Sequence, residues 1–229
     1  MSLKLLSSNI NLSTTYFVIS QEQPSTFIHI DPVIPIVDNG SLIFSATDAP
    51  ERSFVKKNTY TSGINTAGRI RSVFRIDSIV SSGDEEVGFS FMMNNASVRT
   101  PSDAGYAVLL TTGSDSFGLV NPRVIITKYA GGLAGVPAEL ASVSVPTVFG
   151  GPFVMEAEWV NDVPQFGGVV IKVRYANGTD FGTMTEVLSF TDTVSPIITS
   201  SHEGLVFNYH DLSGQFNVKV DETSVFQLT

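Results

Sequence analysis

Apolar and polar residues alternate with a period of two along most of this chain. A period of two places successive side chains on opposite faces of a β-strand. β-Branched and aromatic residues, which suit a half-buried pleated surface, dominate these runs. The alternating apolar positions are Val87, Phe89, Phe91 and Met93; Tyr106, Val108 and Leu110; Phe153, Met155, Ala157 and Trp159; Val169, Ile171, Val173 and Tyr175; Leu205, Phe207 and Tyr209; and Phe216, Val218 and Val220.

Turn signals separate the alternating runs. Gly150-Gly151, Gly167-Gly168 and Asn177-Gly178 are dipeptides that favour tight turns. Many short strands at such spacing predict a β-sandwich or a barrel. The best helix candidate, residues 137–143, lies close to a glycine and a proline that leave it room for about one turn. The chain is therefore predicted to be all-β.

Residues 1–38 differ from the rest of the chain because they carry three prolines and end in the turn signal Asp38-Asn39-Gly40. Within them, residues 26–30 read as a short strand. One interpretation is an N-terminal arm that packs on a neighbouring subunit, and the other is an edge strand followed by a loop. Residues 39–229 form the predicted main domain.

Composition and charge limit the partners of the domain. Hydrophobic residues make up 42% of the 229 residues and charged residues only 15%, so much of the surface is finished with uncharged polar side chains. Such a surface suits contact with other proteins or with sugars. The net charge of −9 disfavours nucleic acid, whose phosphates need a basic footprint, and it disfavours an anionic membrane.

Cysteine is absent, which excludes disulfides, a cysteine nucleophile and thiolate metal sites. The first seven residues, MSLKLLS, lack the continuous apolar stretch of a secretion signal. No apolar run approaches the roughly 18 residues of a membrane span. We therefore expect synthesis in the cytoplasm without a signal peptide.

A series of stretches from residue 41 onward has a characteristic order: RIRSVFRIDSI, EEVGFSFMMN, GYAVLL, RVIITKYAGG, FVMEAEW, GVVIKVRYANG, LSFTDTVSP, HEGLVFNYHD and GQFNVKVDETSVFQL. This series resembles the concanavalin A-like lectin and laminin G-like group. The resemblance implies a two-sheet antiparallel jelly-roll sandwich whose last strand pairs beside the first. That group includes lectins, glycan-active enzymes, adhesion modules and virus surface proteins, so the fold alone does not select a function.

Glu156 and Glu158 are the strongest candidates for catalysis, since they lie two apart on one strand face. Glycoside cleavage needs two carboxylates, but the enzymes of the resembled group often carry three acidic residues at alternate positions. Here both flanking positions on that face are valine. The alternative is that the glutamates pair with arginines of another strand, where Arg69, Arg71 and Arg75 share a face. We therefore expect no catalytic residue.

Two acidic segments are the places where a calcium ion would bind: Asp84-Glu85-Glu86 and the Asp192 of DTVSP. Neither segment shows the spaced ligand series of a calcium loop, and both are interpreted as hydrophilic turns. No metal site is predicted, although calcium stays open as a cofactor.

Aromatic rings are weighed separately because sugars stack on them. Trp159 shares a face with core positions and is predicted to be buried. Tyr60 and Tyr129 lie nearer predicted loops or strand ends. These two tyrosines, with Glu156 and Glu158, are the candidate carbohydrate-binding residues.

Three functions follow from these features. The first is a non-enzymatic virion structural or decoration protein of a bacteriophage, located on the virion surface and bound to other virion proteins or to itself. This first hypothesis rests on four features taken together: the absent signal peptide, the absent cysteine, the few charges and the N-terminal segment. The alternative is a carbohydrate-binding lectin module with glycans as partners. The second alternative is a glycoside hydrolase using Glu156 and Glu158.

Overall fold

The computed structural model describes residues 3–7, 16–21, 36–38, 41–47, 51–57, 67–80, 85–93, 104–112, 122–130, 138–146, 150–162, 167–197, 202–209 and 215–228. These ranges contain fifteen strands and one short 3-10 helix, η1, at Phe181–Thr183. The strands are β1 (Leu3–Ser7), β2 (Tyr16–Gln21), β3 (Ile36–Asp38), β4 (Ser41–Thr47), β5 (Glu51–Lys57), β6 (Ala67–Val80), β7 (Glu86–Met93), β8 (Ala104–Thr111), β9 (Arg123–Ala130), β10 (Ala138–Ser144), β11 (Pro152–Asp162), β12 (Gly168–Asn177), β13 (Thr185–Asp192), β14 (His202–Tyr209) and β15 (Gln215–Leu228).

Two antiparallel sheets make up the sandwich, as predicted. Sheet A has the order β13-β12-β11-β6-β15-β4-β3, with β1 added beside β15. Sheet B has the order β10-β9-β8-β7-β14-β5-β2. Each sheet contains strands that are distant in sequence, as a jelly roll requires. The long last strand, β15, pairs with β1 as well as with β4 and β6, which confirms that the end of the chain returns to its beginning.

The described parts of residues 1–38 contribute strands to both sheets. β1 pairs with β15, and β3 lies at one edge of sheet A beside β4. β2 lies at one edge of sheet B beside β5. These strands fit the edge-strand interpretation of the segment. The predicted strand at residues 26–30 lies outside the described residues, and contact of this segment with another subunit stays a prediction.

The core lies between the inner faces of the two sheets, where the alternating apolar positions meet. Trp159 is fully buried and stacks on Phe91 of the opposite sheet, with ring centroids 4.7 Å apart. Phe74 contacts both Phe89, at 5.4 Å, and Phe153, also at 5.4 Å. Aromatic pairs at these distances add about 0.5–1.5 kcal/mol beyond their area burial. The prediction that Trp159 belongs to the core is confirmed.

The alternation of β7 changes phase at Met92, which has a positive φ of 52°. Before this point Phe89 and Phe91 face the core between the sheets. After it Met92 still joins that core, whereas Met93 lies on the opposite face of sheet B. The pairing of β14 with β7 shifts register over the same stretch, so the strand contains a bulge.

The predicted helical turn at residues 137–143 is wrong. Residues Ala138–Ser144 form strand β10, which pairs with β9 at an edge of sheet B. Alanine, glutamate and leucine favour helices only weakly, and an edge open to pairing outweighs such a preference.

Among the described residues, no helix is long and apolar enough to cross a membrane.

Candidate functional site

The outer face of sheet A carries a charged cluster at the centre of three neighbouring strands. In the register of β6, β11 and β12, Glu156 lies between Arg71 and Arg174. The next row of the same face places Glu158 beside Arg69. The side-chain alternation of the three strands is what brings these five residues onto one surface.

Two of the arginines bind both glutamates. Arg174 Nη1 donates to Glu156 Oε1 at 2.5 Å and lies 3.6 Å from Glu158 Oε2. Arg69 Nε donates to Glu158 Oε2 at 3.0 Å and lies 3.3 Å from Glu156 Oε1. A second bond joins Arg69 Nη2 to Glu158. The predicted pairing of the glutamates with arginines of another strand is confirmed, and Arg174 is a partner that the sequence reasoning missed.

The ion network raises the pKa of Arg174. Burial by itself lowers the pKa of this guanidinium. The hydrogen bond to Glu156 and the charges of Glu156, Glu158 and Glu186 outweigh burial, so the pKa of Arg174 is raised above its ordinary value. The cluster therefore holds Arg174 firmly in its charged form.

A glycoside hydrolase built on Glu156 and Glu158 is not favoured by this geometry. The side chain of Glu156 is only 2% exposed, and that of Glu158 is 15% exposed. A catalytic acid or base must come within hydrogen-bond reach of its substrate. The Oε1 atom of Glu156 instead contacts the guanidinium groups of Arg69 and Arg174, which suits a structural role.

Arg71 differs from the other two arginines because its guanidinium lies against two aromatic rings. Its Cζ atom is 4.2 Å from the ring centre of Phe181 and 5.0 Å from that of Phe226. Both distances are within the cation–π range. Arg71 Nε is buried and has no hydrogen-bond partner.

The turn after β12 positions Phe181 over the sheet. Gly178 has a φ of 102°, a conformation that glycine adopts without strain. Asp180 then caps helix η1, since its Oδ1 accepts a hydrogen bond from Gly182 N at 2.7 Å. Phe226 comes from β15, the neighbour of β6 on the other side. Three segments that are distant in sequence therefore form the surroundings of Arg71.

A second polar cluster joins the two sheets at the end of β13. Lys128 Nζ donates to Asp192 Oδ2 at 2.6 Å and to the carbonyl oxygens of Val194 and Ser195 at 2.7 and 2.8 Å. Tyr106 OH donates to the same carboxylate oxygen at 2.7 Å. Ser195 has a positive φ of 51°, so the loop after β13 is sharply bent around the ammonium group.

Burial dominates the environment of Tyr106. The ring is fully buried, and its hydroxyl accepts a hydrogen bond from Ile197 N at 2.9 Å. Desolvation, then the hydrogen bond to Asp192, raise the pKa of Tyr106 well above its ordinary value, although the bond from Ile197 acts in the opposite direction.

The interpretation of the two acidic segments as hydrophilic turns is wrong for Glu85 and Asp192. Glu85 is fully buried and accepts a hydrogen bond from Thr112 Oγ1 at 2.6 Å. Asp192 is 3% exposed and is the last residue of β13. Buried carboxylates persist when they are paired or hydrogen-bonded, and both of these are.

The Asp192 cluster also bears on calcium. One carboxylate and two carbonyl oxygens are ligands that hard cations take, but the ammonium of Lys128 occupies the position that those oxygens surround. Among the described residues, no group of three or more histidine, cysteine or acidic side chains is arranged to hold a metal ion. The donor set that the structure describes around Asp192 does not fit a calcium ion.

The three described candidate carbohydrate-binding residues do not form one site. Glu156 and Glu158 lie together on the outer face of sheet A. Tyr129 lies on the outer face of sheet B and is 1% exposed, packed with an apolar cluster. Tyr60 lies outside the described residues. The sugar contacts of these residues stay predictions.

Comparison with known proteins gives matches of structure only. No protein-family model and no curated protein sequence matches the chain. The legume lectin-like domain from Entamoeba histolytica superposes with a TM-score of 0.62 at 10% identity, covering 86% of this chain and 89% of that one.

Two further similar structures are carbohydrate-related domains. The exoplasmic/lumenal domain of VIP36 with bound Ca²⁺ and Man3GlcNAc gives a TM-score of 0.62 at 12% identity, over 85% of this chain and 81% of that one. The potassium-bound carbohydrate recognition domain of Emp46p gives 0.57 at 14% identity, over 86% and 88%. The chain thus has the concanavalin A-like lectin fold, in agreement with the resemblance read from its sequence.

Proposed function

We propose that this chain is a non-enzymatic carbohydrate-binding module. The observation that carries the proposal is the extent of the structural similarity. It covers 85–86% of this chain and 81–89% of the three lectin-like domains described above. Most of the sandwich fold is therefore shared with these domains. Two of those three domains are themselves described by the sugar they bind or as carbohydrate recognition domains.

The chemistry of the surface supports the same proposal. Sugars present hydroxyl groups, which bind to carboxylates, guanidinium groups and uncharged polar side chains. The outer face of sheet A offers Glu158, Arg69 and Arg174 with side chains 15–30% exposed. The buried position of Glu156 argues against cleavage of the bound sugar.

The virion role and the virion-surface location rest on the sequence alone. The similar structures described above support the lectin alternative instead. We therefore place glycans first among the proposed partners, and binding to other virion proteins stays a prediction.

A panel of immobilised neutral and acidic oligosaccharides tests the proposal. We expect saturable binding of the purified chain to at least one sugar, without release of new reducing ends from soluble polysaccharides. The panel is read once with Ca²⁺ and once with EDTA, so that a metal requirement is seen directly. No saturable binding under either condition would overturn the proposal, as would sugar cleavage that is lost in Glu158→Gln.

A further inference from the structure

Arg71 is the one guanidinium of the charged cluster on sheet A that binds neither glutamate. Glu156 lies directly opposite Arg71 in the register of β6 and β11. Its Oε1 atom, however, contacts Arg174 at 2.5 Å and Arg69 at 3.3 Å. Among the described residues, Arg71 has no carboxylate partner. Its Nε atom is buried while the residue as a whole is partly exposed, so a ligand on this face would bind through the terminal Nη donors.

The two phenyl rings hold the guanidinium of Arg71 in place. Contacts of 4.2 Å to Phe181 and 5.0 Å to Phe226 restrict a side chain that otherwise has many rotamers. An arginine that is already ordered loses less conformational entropy when it binds. A guanidinium also presents a planar set of donors that matches the two oxygens of a carboxylate.

Charge on this face favours an anionic ligand. Arg69, Arg71 and Arg174 outnumber Glu156 and Glu158, and on the neighbouring positions Glu186 is balanced by Lys172, so these residues together carry one excess positive charge. The chain as a whole carries a net charge of −9, so this local excess is opposite in sign to the charge of the whole chain. A neutral sugar would leave the excess charge uncompensated, whereas an acidic sugar would compensate it.

We propose that Arg71, ordered between Phe181 and Phe226, binds the carboxylate of an acidic sugar on the outer face of sheet A. This inference rests on the proposed carbohydrate-binding function and specifies its ligand class as sugars that carry a carboxylate. Uronic acids and sialic acids share that chemistry. Glu158, which lies one row along the same face and is partly exposed, is placed to accept hydrogen bonds from hydroxyl groups of the same ring.

Pairs of sugars that differ in the charge of one carboxyl group provide the test. Methyl glucuronide is compared with its uncharged methyl ester, and sialyllactose with its uncharged methyl ester, by calorimetric or NMR titration of the full chain. We expect each acidic sugar to bind about tenfold or more tightly than its neutral partner, as charge-assisted hydrogen bonds predict. The sugar pair with the larger difference identifies the source of the carboxylate.

Variants of Arg71 then assign the effect. Arg71→Met removes the charge and is expected to abolish the preference for the acidic sugar. Arg71→Lys keeps the charge without the planar donors and is expected to restore only part of it. Lys219→Met removes a charge on another strand of the same sheet, where Lys219 pairs with Asp77 at 3.3 Å, and is expected to leave the preference unchanged. Far-UV circular dichroism confirms that each variant folds.

An NMR signal from unmodified protein gives a second readout. The Nε–Hε resonance of Arg71, assigned by its loss in Arg71→Lys, is expected to shift with the acidic sugar and not with the neutral one. Equal binding of both sugars, or an acidic preference that survives in Arg71→Met, overturns this inference and leaves the carbohydrate-binding function standing. Binding of no sugar at all overturns both.

Discussion

The outer faces of the two sheets are built from the same alternating strands, yet they have opposite characters. On sheet A, Glu156 and Glu158 and the arginines around them form a charged and partly exposed surface. On sheet B, the corresponding face carries a second buried apolar cluster: Met93, Ala107, Leu109, Ile125, Tyr129 and Val206. In the described part of the chain, the outer face of sheet A is therefore the face that is open to a ligand.

The strand sequences already carry this distinction. β11 reads PFVMEAEWVND and β12 reads GVVIKVRYAN, with charges at alternate positions. β7 and β8 read EVGFSFMM and AGYAVLLT, which are nearly free of charge, and both are buried along almost their whole length. Alternation is typical of a strand with one solvated face, and a continuous apolar run is typical of a strand covered on both faces.

The largest expected effect comes from matched valine substitutions on the two outer faces. Val206 of sheet B is fully buried, whereas Val170 on the outer face of sheet A is partly exposed. We expect Val206→Ala to lower the free energy of unfolding by about 2 kcal/mol, because it removes buried methyl groups and leaves a cavity. Val170→Ala is expected to cost about 0.5 kcal/mol. Urea unfolding of both variants measures the difference, and equal costs would contradict the comparison.

A smaller effect is expected within the charged face. Glu156→Gln removes the central carboxylate and leaves Arg69 and Arg174 with weaker acceptors, at a cost of about 1.5 kcal/mol once partial exposure of the arginines is considered. The matched control is Glu186→Gln, because Glu186 is 45% exposed and lies 3.9 Å from Lys172. A cost below about 0.5 kcal/mol is expected there. If the two variants unfold alike in urea, the ion network contributes nothing beyond an ordinary surface pair.

The pH dependence of the unfolding free energy at alkaline pH tests a residue of the core between the sheets, Tyr106. The pKa of Tyr106 is raised in the folded chain, so the folded state retains its phenolic proton where the unfolded state releases it. The contribution of this group is fully present below the unfolded pKa of about 10 and falls by about 1.4 kcal/mol per pH unit above it. In Tyr106→Phe, the free energy of unfolding should therefore decline less than in the unmodified chain between pH 9 and 11. An unchanged alkaline slope of the unfolding free energy would show that Tyr106 does not titrate in this way.

The smallest effect is expected from calcium. Because Lys128 occupies the oxygen-lined position beside Asp192, we expect Ca²⁺ and EDTA to leave the melting temperature unchanged. Mass action stabilises a protein only when the ligand binds its folded state, and a hundredfold excess over Kd adds about 2.7 kcal/mol. A rise of the melting temperature with Ca²⁺ would therefore reveal a metal site that the sequence and the described residues do not indicate. Lys128→Met is the matched variant, because it removes the ammonium and keeps the length of the side chain.

Much of the fold could be predicted from the sequence, because alternation is a local property. The runs in β11 and β12 correctly indicated the inner position of Trp159 and the outer positions of Glu156 and Glu158. The helical turn proposed at residues 137–143 failed because helix preference belongs to the segment alone, whereas pairing with the preceding strand β9 decides the structure of β10.

The candidate site could be predicted only in part, because its residues meet through tertiary structure. The sequence placed Arg69, Arg71 and Glu156 on strand faces. It did not show which arginine would lack a carboxylate partner. That outcome depends on Phe181, which reaches Arg71 through the turn after β12. The burial of Asp192 was missed for a similar reason, since its partner Lys128 is 64 residues away along the chain.

The most direct test of the account is to locate the bound sugar on the folded chain. The oligosaccharide that binds most tightly in the panel is titrated into isotope-labelled protein, and the shifted amide resonances are assigned to strands. We predict that the largest shifts fall on β6, β11 and β12, around Arg71 and Glu158. Shifts confined to β7, β8 and β9 would contradict the assignment of the ligand face to sheet A.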